Sequence, residues 1–185
     1  MIDFHIRIEN IVASATLGVE VPLEIIVSKM EGMEYEPEQF PGLVYRLQKP
    51  KAAALIFGSG KIVCTGARSI DDVNEVIKKV TKVIRSCGTR VPKEFKVQVE
   101  NIVASAKLDA SLNLDKIAFN LENSEYEPEQ FPGLVYRMAD PKVAFLLFGS
   151  GKIVCTGGRN IKDVNIAVEK VYKKLKSIKA LAKAK

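Results

Sequence analysis

The chain has 185 residues, 47% hydrophobic and 27% charged, a composition that suits a globular protein with a sizeable core. No apolar run approaches the roughly 18 to 20 residues of a membrane span, and the opening MIDFHIRIEN mixes charges among its apolar residues as no signal peptide does, so neither membrane insertion nor secretion is expected. The net charge of +6 lies in residues 173–185, whose six lysines face no acid, so the chain before them is neutral and the tail reads as a solvated end rather than a DNA-contacting arm.

In chain order, Phe4 to Ala15 alternates and reads as a strand. Pro22 to Glu31 has Pro at a first-turn position and Leu23, Ile26, Val27 and Met30 at helical spacing. A short strand over Tyr35–Phe40, a Pro41-Gly42 turn, strand Leu43–Leu47, a Pro50 turn, strand Ala52–Phe57, the Gly58-Ser59-Gly60 turn and strand Lys61–Thr65 follow. A long helix then runs from a cap at Ser69 with Asp72, its apolar face marked by Val73, Val76, Ile77, Val80 and Ile84. The same order recurs 91 residues later: of the 61 pairs from Ile8/Val99 to Arg68/Arg159, 39 are identical without a gap. Identity concentrates in ENIVASA (9–15, 100–106), EYEPEQFPGLVYR (34–46, 125–137) and FGSGKIVCTG (57–66, 148–157). The second long helix is capped by Asn160 with Asp163 and carries Val164, Ala167, Val168, Val171, Leu175 and Ile178. Repeats of this length are half-domains rather than solenoid units. The expectation is an α+β fold with a first half at 1–91 and a second at 92–185, about ten antiparallel strands in one sheet, and four helices on one face of it.

Alternate residues of a strand face opposite sides. Here both sets are apolar: Ala54 and Ile56 against Ala53, Leu55 and Phe57, and in the copy Phe145 and Leu147 against Ala144, Leu146 and Phe148. Four helices cover one face, no segment remains to cover the other, and an exposed apolar face of functional size results. Parity places Asn10, Val12, Phe40, Val44, Arg46, Val63 and Thr65 on it, and Arg46, Lys51, Lys61 and Arg68, with Arg137, Lys142, Lys152 and Arg159, edge it. Such a strip suits the DNA minor groove, whose sugar-lined wall is apolar, whose A·T base edges only accept hydrogen bonds, and whose rims carry phosphate. Asn and Thr supply donors, cations pair with the rims, and large apolar side chains wedge between base steps. Two near-identical surfaces also match a duplex, which has approximate twofold symmetry.

Together these motifs resemble the core of the TATA-box-binding protein family in its archaeal form, over residues 3–178. The resemblance implies a saddle whose concave sheet binds and sharply bends TATA-box DNA from the minor groove, a mode for which this family is itself the type case. By motif, Phe40 with Phe57 and Phe131 with Phe148 are the intercalating pairs. Asn10, Asn101, Thr65 and Thr156 are the central donors, and Val12, Val63, Val103, Val154, Leu55 and Leu146 pack in the groove. The second EYEPEQFPG turn, with Glu125, Glu127 and Glu129, is the implied dock for transcription factor B and, through it, RNA polymerase. Neither a cofactor nor a membrane partner is implied, and the setting is cytoplasmic, on the nucleoid.

Other readings fit less well. Gly58-Ser59-Gly60-Lys61 lacks the Gly and the Ser or Thr of a Walker loop, having Leu55 and Ile62 there, and precedes a strand rather than a helix. Glu34, Glu36 and Glu38 have no His or metal partner for carboxylate catalysis, His5 reads as structural, and no enzyme is expected. Cys64 and Cys155 fall on the helix-covered face, and with Cys87 unpaired a reducing intracellular setting follows. The alternative is a duplicated ligand-binding or dimerising protein using the apolar face, which leaves the Asn and Thr pairs and the basic rim unexplained.

Overall fold

The computed structural model describes residues 2–183. The first repeat forms β1 (Arg7–Thr16), α1 (Leu23–Lys29), β2 (Met33–Glu34), β3 (Leu43–Gln48), β4 (Lys51–Ile56), β5 (Lys61–Ala67) and α2 (Ile70–Ser86). The second forms β6 (Lys96–Lys107), β7 (Ala110–Leu112), α3 (Leu114–Asn120), β8 (Ser124–Glu125), β9 (Leu134–Met138), β10 (Val143–Leu147), β11 (Lys152–Gly158) and α4 (Ile161–Ser177), followed by β12 (Leu181–Lys183). Ten strands make one sheet in the order β2-β3-β4-β5-β1-β6-β11-β10-β9-β8, and β12 pairs with β7 apart from it. With four helices among the described residues, the fold is α+β as expected.

Helix starts follow their caps. Ser69 Oγ accepts from the Asp72 amide at 3.0 Å, and Asn160 Oδ1 accepts from the Asp163 amide at 2.7 Å, each satisfying an otherwise free first-turn N–H. The apolar stripe of α2 is buried at Val73, Val76, Ile77, Val80 and Ile84, and that of α4 at Val164, Ala167, Val168, Val171 and Leu175. Against α2 pack the helix-side residues of β4 and β5, including Ala54, Ile56, Ile62 and Cys64, all fully buried. In the second repeat β11 packs on α4, and the equivalent residues Phe145, Leu147, Ile153 and Cys155 are likewise buried. Burial pushes the Cys64 thiol up to about 11, with Asp72 adding to the shift, and the Cys155 thiol up to about 12, so both stay protonated members of the core.

Two expectations are corrected. The short strand before each Pro-Gly is Met33–Glu34 and Ser124–Glu125, not Tyr35–Phe40, because the Glu36 and Glu127 carbonyls each accept two amides and curl the chain into a turn. The lysine-rich tail is not simply a solvated end: Lys173–Ser177 completes α4 with Leu175 buried, Ala180 is 1% exposed, and Leu181, Ala182 and Lys183 pair with Leu112, Ser111 and Ala110. Its last two residues lie outside the described chain. By contact, the chain falls into one unit, Asn10–Glu100, and a second that joins the chain up to Glu9 with the chain from Asn101 onward. The opening segment therefore packs with the second repeat, where the Lys107 amide donates to the Phe4 carbonyl at 3.0 Å and the Phe4 ring meets Tyr172 at 5.2 Å between centroids.

Candidate nucleic-acid interface

Within the unit Asn10–Glu100, strand register sets the face turned away from α2. Leu55 pairs with Val44 on one side and Val63 on the other, and Ala53 with Arg46 and Thr65. Directly opposed side chains share a face, so these six form one surface. Leu55, Val63 and Thr65 are half-buried, whereas their chain neighbours Ala54, Ile56, Ile62 and Cys64 are sealed under the helix. In the other unit Leu146 pairs with Val135 and Val154, and Ala144 with Arg137 and Thr156, giving a second surface with the same residues. Val12 and Val103, like Asn10 and Asn101, are half-buried.

At one end of each surface stands an aromatic pair. Phe40 and Phe57 meet edge to face at 5.8 Å and 68°, Phe131 and Phe148 at 5.9 Å and 71°. Phe40 is 39% exposed and Phe131 40%, high for a phenyl ring and unlike the fully buried Phe145. Glycine permits this nesting. A Cβ at Gly42 would lie 2.7 Å from Phe40 Cε1 and 3.1 Å from Phe57 Cε1, and at Gly133 the corresponding distances are 2.7 and 3.0 Å.

The asparagines are held by a bulge. Between the β1 and β5 partners Ile11/Ala67 and Ala13/Cys64, β5 carries one extra residue, and the copy shows the same between Ile102/Gly158 and Ala104/Cys155. The bulge contains Gly66 at φ 89° and Gly157 at φ 100°, a left-handed conformation that favours glycine. Each of these amides donates to an asparagine: Gly66 N to Asn10 Oδ1 and Gly157 N to Asn101 Oδ1, both at 2.7 Å. A backbone N–H can only donate, so it selects the oxygen and turns each side-chain NH2 the other way. The Asn101 Nδ2 also lies 3.3 Å from Thr156 Oγ1. The result is a fixed pair of amide donors among apolar side chains.

All eight rim cations, Arg46, Lys51, Lys61, Arg68, Arg137, Lys142, Lys152 and Arg159, are exposed. Arg46 approaches Glu34 at 3.9 Å with both side chains mostly in water, a contact of little energetic weight. The three glutamates of the second turn do not form one patch: Glu125 pairs with Val135 and so shares that residue's face, while Glu127 and Glu129 sit on the exposed turn that ends at Phe131.

Four glycines and two serine–glutamate pairs belong to this architecture and escape sequence reading. Glycine inside the strand pattern GKIVCTG is the available signal for the bulge. Ser14 Oγ donates to Glu100 Oε1 at 2.6 Å and Ser105 Oγ to Glu9 Oε1 at 2.7 Å, each supplying one carboxylate with a donor. No sequence pattern indicates those pairings.

Residues 5–87 and 96–178 each match the family described as Transcription factor TFIID (or TATA-binding protein, TBP). The chain is 54% identical over 178 residues to the TATA-box-binding protein of Methanobrevibacter smithii, covering 96% of this chain and 98% of that one. It is 55% identical over 175 residues to that of Methanothermobacter thermautotrophicus, with 95% and 97% covered. Among solved structures, Methanococcus jannaschii TBP superposes with a TM-score of 0.87 at 48% identity, covering 93% of this chain and 98% of that one. With both repeats matched and the register of each surface reproduced in its copy, the chain belongs to the TATA-binding protein family.

Proposed function

We propose that the protein is a general transcription factor that recognises A·T-rich TATA-box DNA through the minor groove, bends it, and nucleates the transcription initiation complex. One observation carries the reading: the Asn10 and Asn101 amides are locked with their NH2 groups outward, among apolar side chains, by the Gly66 and Gly157 N–H groups. Fixed donors on an apolar surface complement a groove floor that offers only acceptors at A·T pairs, and the exocyclic amine of a G·C pair would meet them donor to donor. Thr65 and Thr156 add hydroxyls beside them, and Val12, Leu55, Val63, Val103, Leu146 and Val154 cover the sugar walls. The phenyl pairs Phe40/Phe57 and Phe131/Phe148 are the wedges, each prying open a base step and bending the duplex away from the protein. The eight rim cations pair with phosphates and set position rather than sequence.

On the same reading, the acidic turn at Glu127 and Glu129, with Glu125 at its base, receives a basic partner, transcription factor B, which brings RNA polymerase. The archaeal relatives support a place on the nucleoid, in the cytoplasm. A gel-shift titration with a TATA duplex and a G·C-rich duplex of equal length tests the function. Binding that prefers the TATA duplex at every salt concentration supports it, and equal binding to both overturns it.

A further inference from the structure

The two repeats present matching surfaces away from their helices, but an exchange at one strand end adds a charge to the second. Along β6, Asn101, Val103, Ser105 and Lys107 alternate onto one face, and Lys107, the last residue of the strand, is exposed. Its repeat equivalent at the end of β1 is Thr16. The cross-strand partners of both are rim lysines: Thr16 pairs with Lys61 on β5, and Lys107 with Lys152 on β11. The first repeat therefore sets one cation beside a hydroxyl where the second sets two cations side by side.

Like charges directly opposed on neighbouring strands, with Cβ atoms about 4.5–5.5 Å apart, repel and cost the sheet stability. No acid offsets the repulsion here, since neither lysine forms an ion pair among the described residues. Asp3 and Asp109 border a small cavity together with Lys107, yet Asp3 is engaged by His5, whose Nδ1 lies 3.3 Å from its carboxylate, and Asp109 is exposed. The main chain of Lys107 has a separate task, donating its amide to the Phe4 carbonyl at 3.0 Å. Strand pairing thus accounts for the backbone of the residue, and its ammonium serves no contact within the fold. A cation pair at the strand end, on the same face as Asn101 and Val103, suits an anion carried by whatever occupies that face.

We infer that Lys107 is a further phosphate-contacting residue, and that Lys107 and Lys152 each hold one of two neighbouring phosphates of a duplex lying on the second repeat. The inference rests on the minor-groove reading above. The first repeat, with Thr16 beside Lys61, lacks the second of these contacts, so the two surfaces share their base-facing residues and differ in their grip on the backbone. Lys107 contributes position and salt dependence rather than sequence preference.

The experiment is a salt titration of the full chain by fluorescence anisotropy, with a TATA duplex and a G·C-rich duplex of equal length. Lys107→Thr, which installs the residue of the first repeat, is expected to lower the slope of log K against log salt by about 0.9, so that affinity falls roughly 3.5-fold less between about 50 and about 200 mM salt. Lys107→Arg is expected to keep the slope, Thr16→Lys to raise it by a similar amount, and Lys82→Thr, which removes an exposed cation of α2, to leave it unchanged. Single neutral methylphosphonate linkages, scanned along the TATA duplex, localise the contact: at one linkage the slope falls for the wild type and does not fall further for Lys107→Thr. An unchanged slope in Lys107→Thr overturns the proposal, and so does an equal fall with Lys82→Thr, which marks an effect of net charge alone. A lowered melting temperature with an unchanged slope assigns Lys107 to an internal contact with Asp3 or Asp109 and also overturns it. A wild type that binds both duplexes equally defeats the minor-groove reading itself, whereas a wild type that prefers TATA while Lys107→Thr keeps the full slope defeats only the Lys107 contact.

Discussion

Asn101→Asp separates the donor role of the asparagine from its structural role. The carboxylate can still accept from the Gly157 N–H that Asn101 Oδ1 now accepts at 2.7 Å, so the bulge and the fold are retained. What disappears is the outward NH2, replaced by an oxygen that meets the acceptor atoms of an A·T pair. Losing the base contact costs about 1–3 kcal/mol. Leaving a desolvated carboxylate oxygen against an acceptor adds a similar amount, about 1–3 kcal/mol. A loss near 3 kcal/mol corresponds to roughly 100-fold in Kd at fixed salt. The assay is fluorescence anisotropy with a TATA duplex at several pH values, with thermal unfolding in parallel. Protonating the new carboxyl restores a donor, so affinity for TATA DNA is expected to recover as pH falls toward the ordinary aspartate range near 4. Asn101→Ala, by contrast, leaves the Gly157 N–H without its acceptor and is expected to lower stability as well. Wild-type affinity in Asn101→Asp with an intact fold would refute the donor assignment.

Phe148→Ala is expected to leave the melting temperature nearly unchanged while reducing the bend read by end-to-end energy transfer. Phe145→Ala, on the side of β10 opposite Ala144 and Leu146 and fully buried, costs about 3–5 kcal/mol of stability; equal destabilisation by both would remove the wedge. Arg137→Ala is expected to lower the slope of log K against log salt by about one, and an unchanged slope excludes its phosphate contact. Glu127→Arg/Glu129→Arg is expected to keep or slightly raise duplex affinity and to weaken the ternary complex with transcription factor B, whereas intact ternary assembly removes this turn from the partner surface. At pH 8, iodoacetamide is expected to label Cys87 and spare Cys64 and Cys155, whose thiols burial holds at about 11 and about 12; rapid labelling of either in the folded state would contradict the core assignment.

Most of the fold is legible because each half is built from short-range patterns. Short apolar and β-branched runs between turn residues, AALIF and KIVCT, mark strands, the Ser69 and Asn160 caps mark helix starts, and the repeat doubles every signal. Doubly apolar strands also expose the open face, since the helices can bury only one set. What stays hidden depends on contacts distant in sequence. The pairing of Leu181 with Leu112 gives the lysine tail a structural role that its composition argues against. The turn at Glu127 replaces an apparent strand because one carbonyl captures the amides of Gln130 and Phe131. Asn10 is recognisable as a polar residue on an apolar face, but the direction of its amide follows from a Gly66 N–H that lies 56 residues away.

Replacing A·T by inosine·cytosine pairs throughout the TATA duplex tests the central claim most directly. Inosine lacks the exocyclic amine of guanine, so the minor groove keeps the acceptor-only pattern of A·T while the major groove takes on that of G·C. The account predicts that the inosine·cytosine duplex binds and bends nearly as the TATA duplex does and that the G·C duplex of the same sequence fails. Binding lost equally with inosine·cytosine and G·C would place recognition in the major groove and contradict the account.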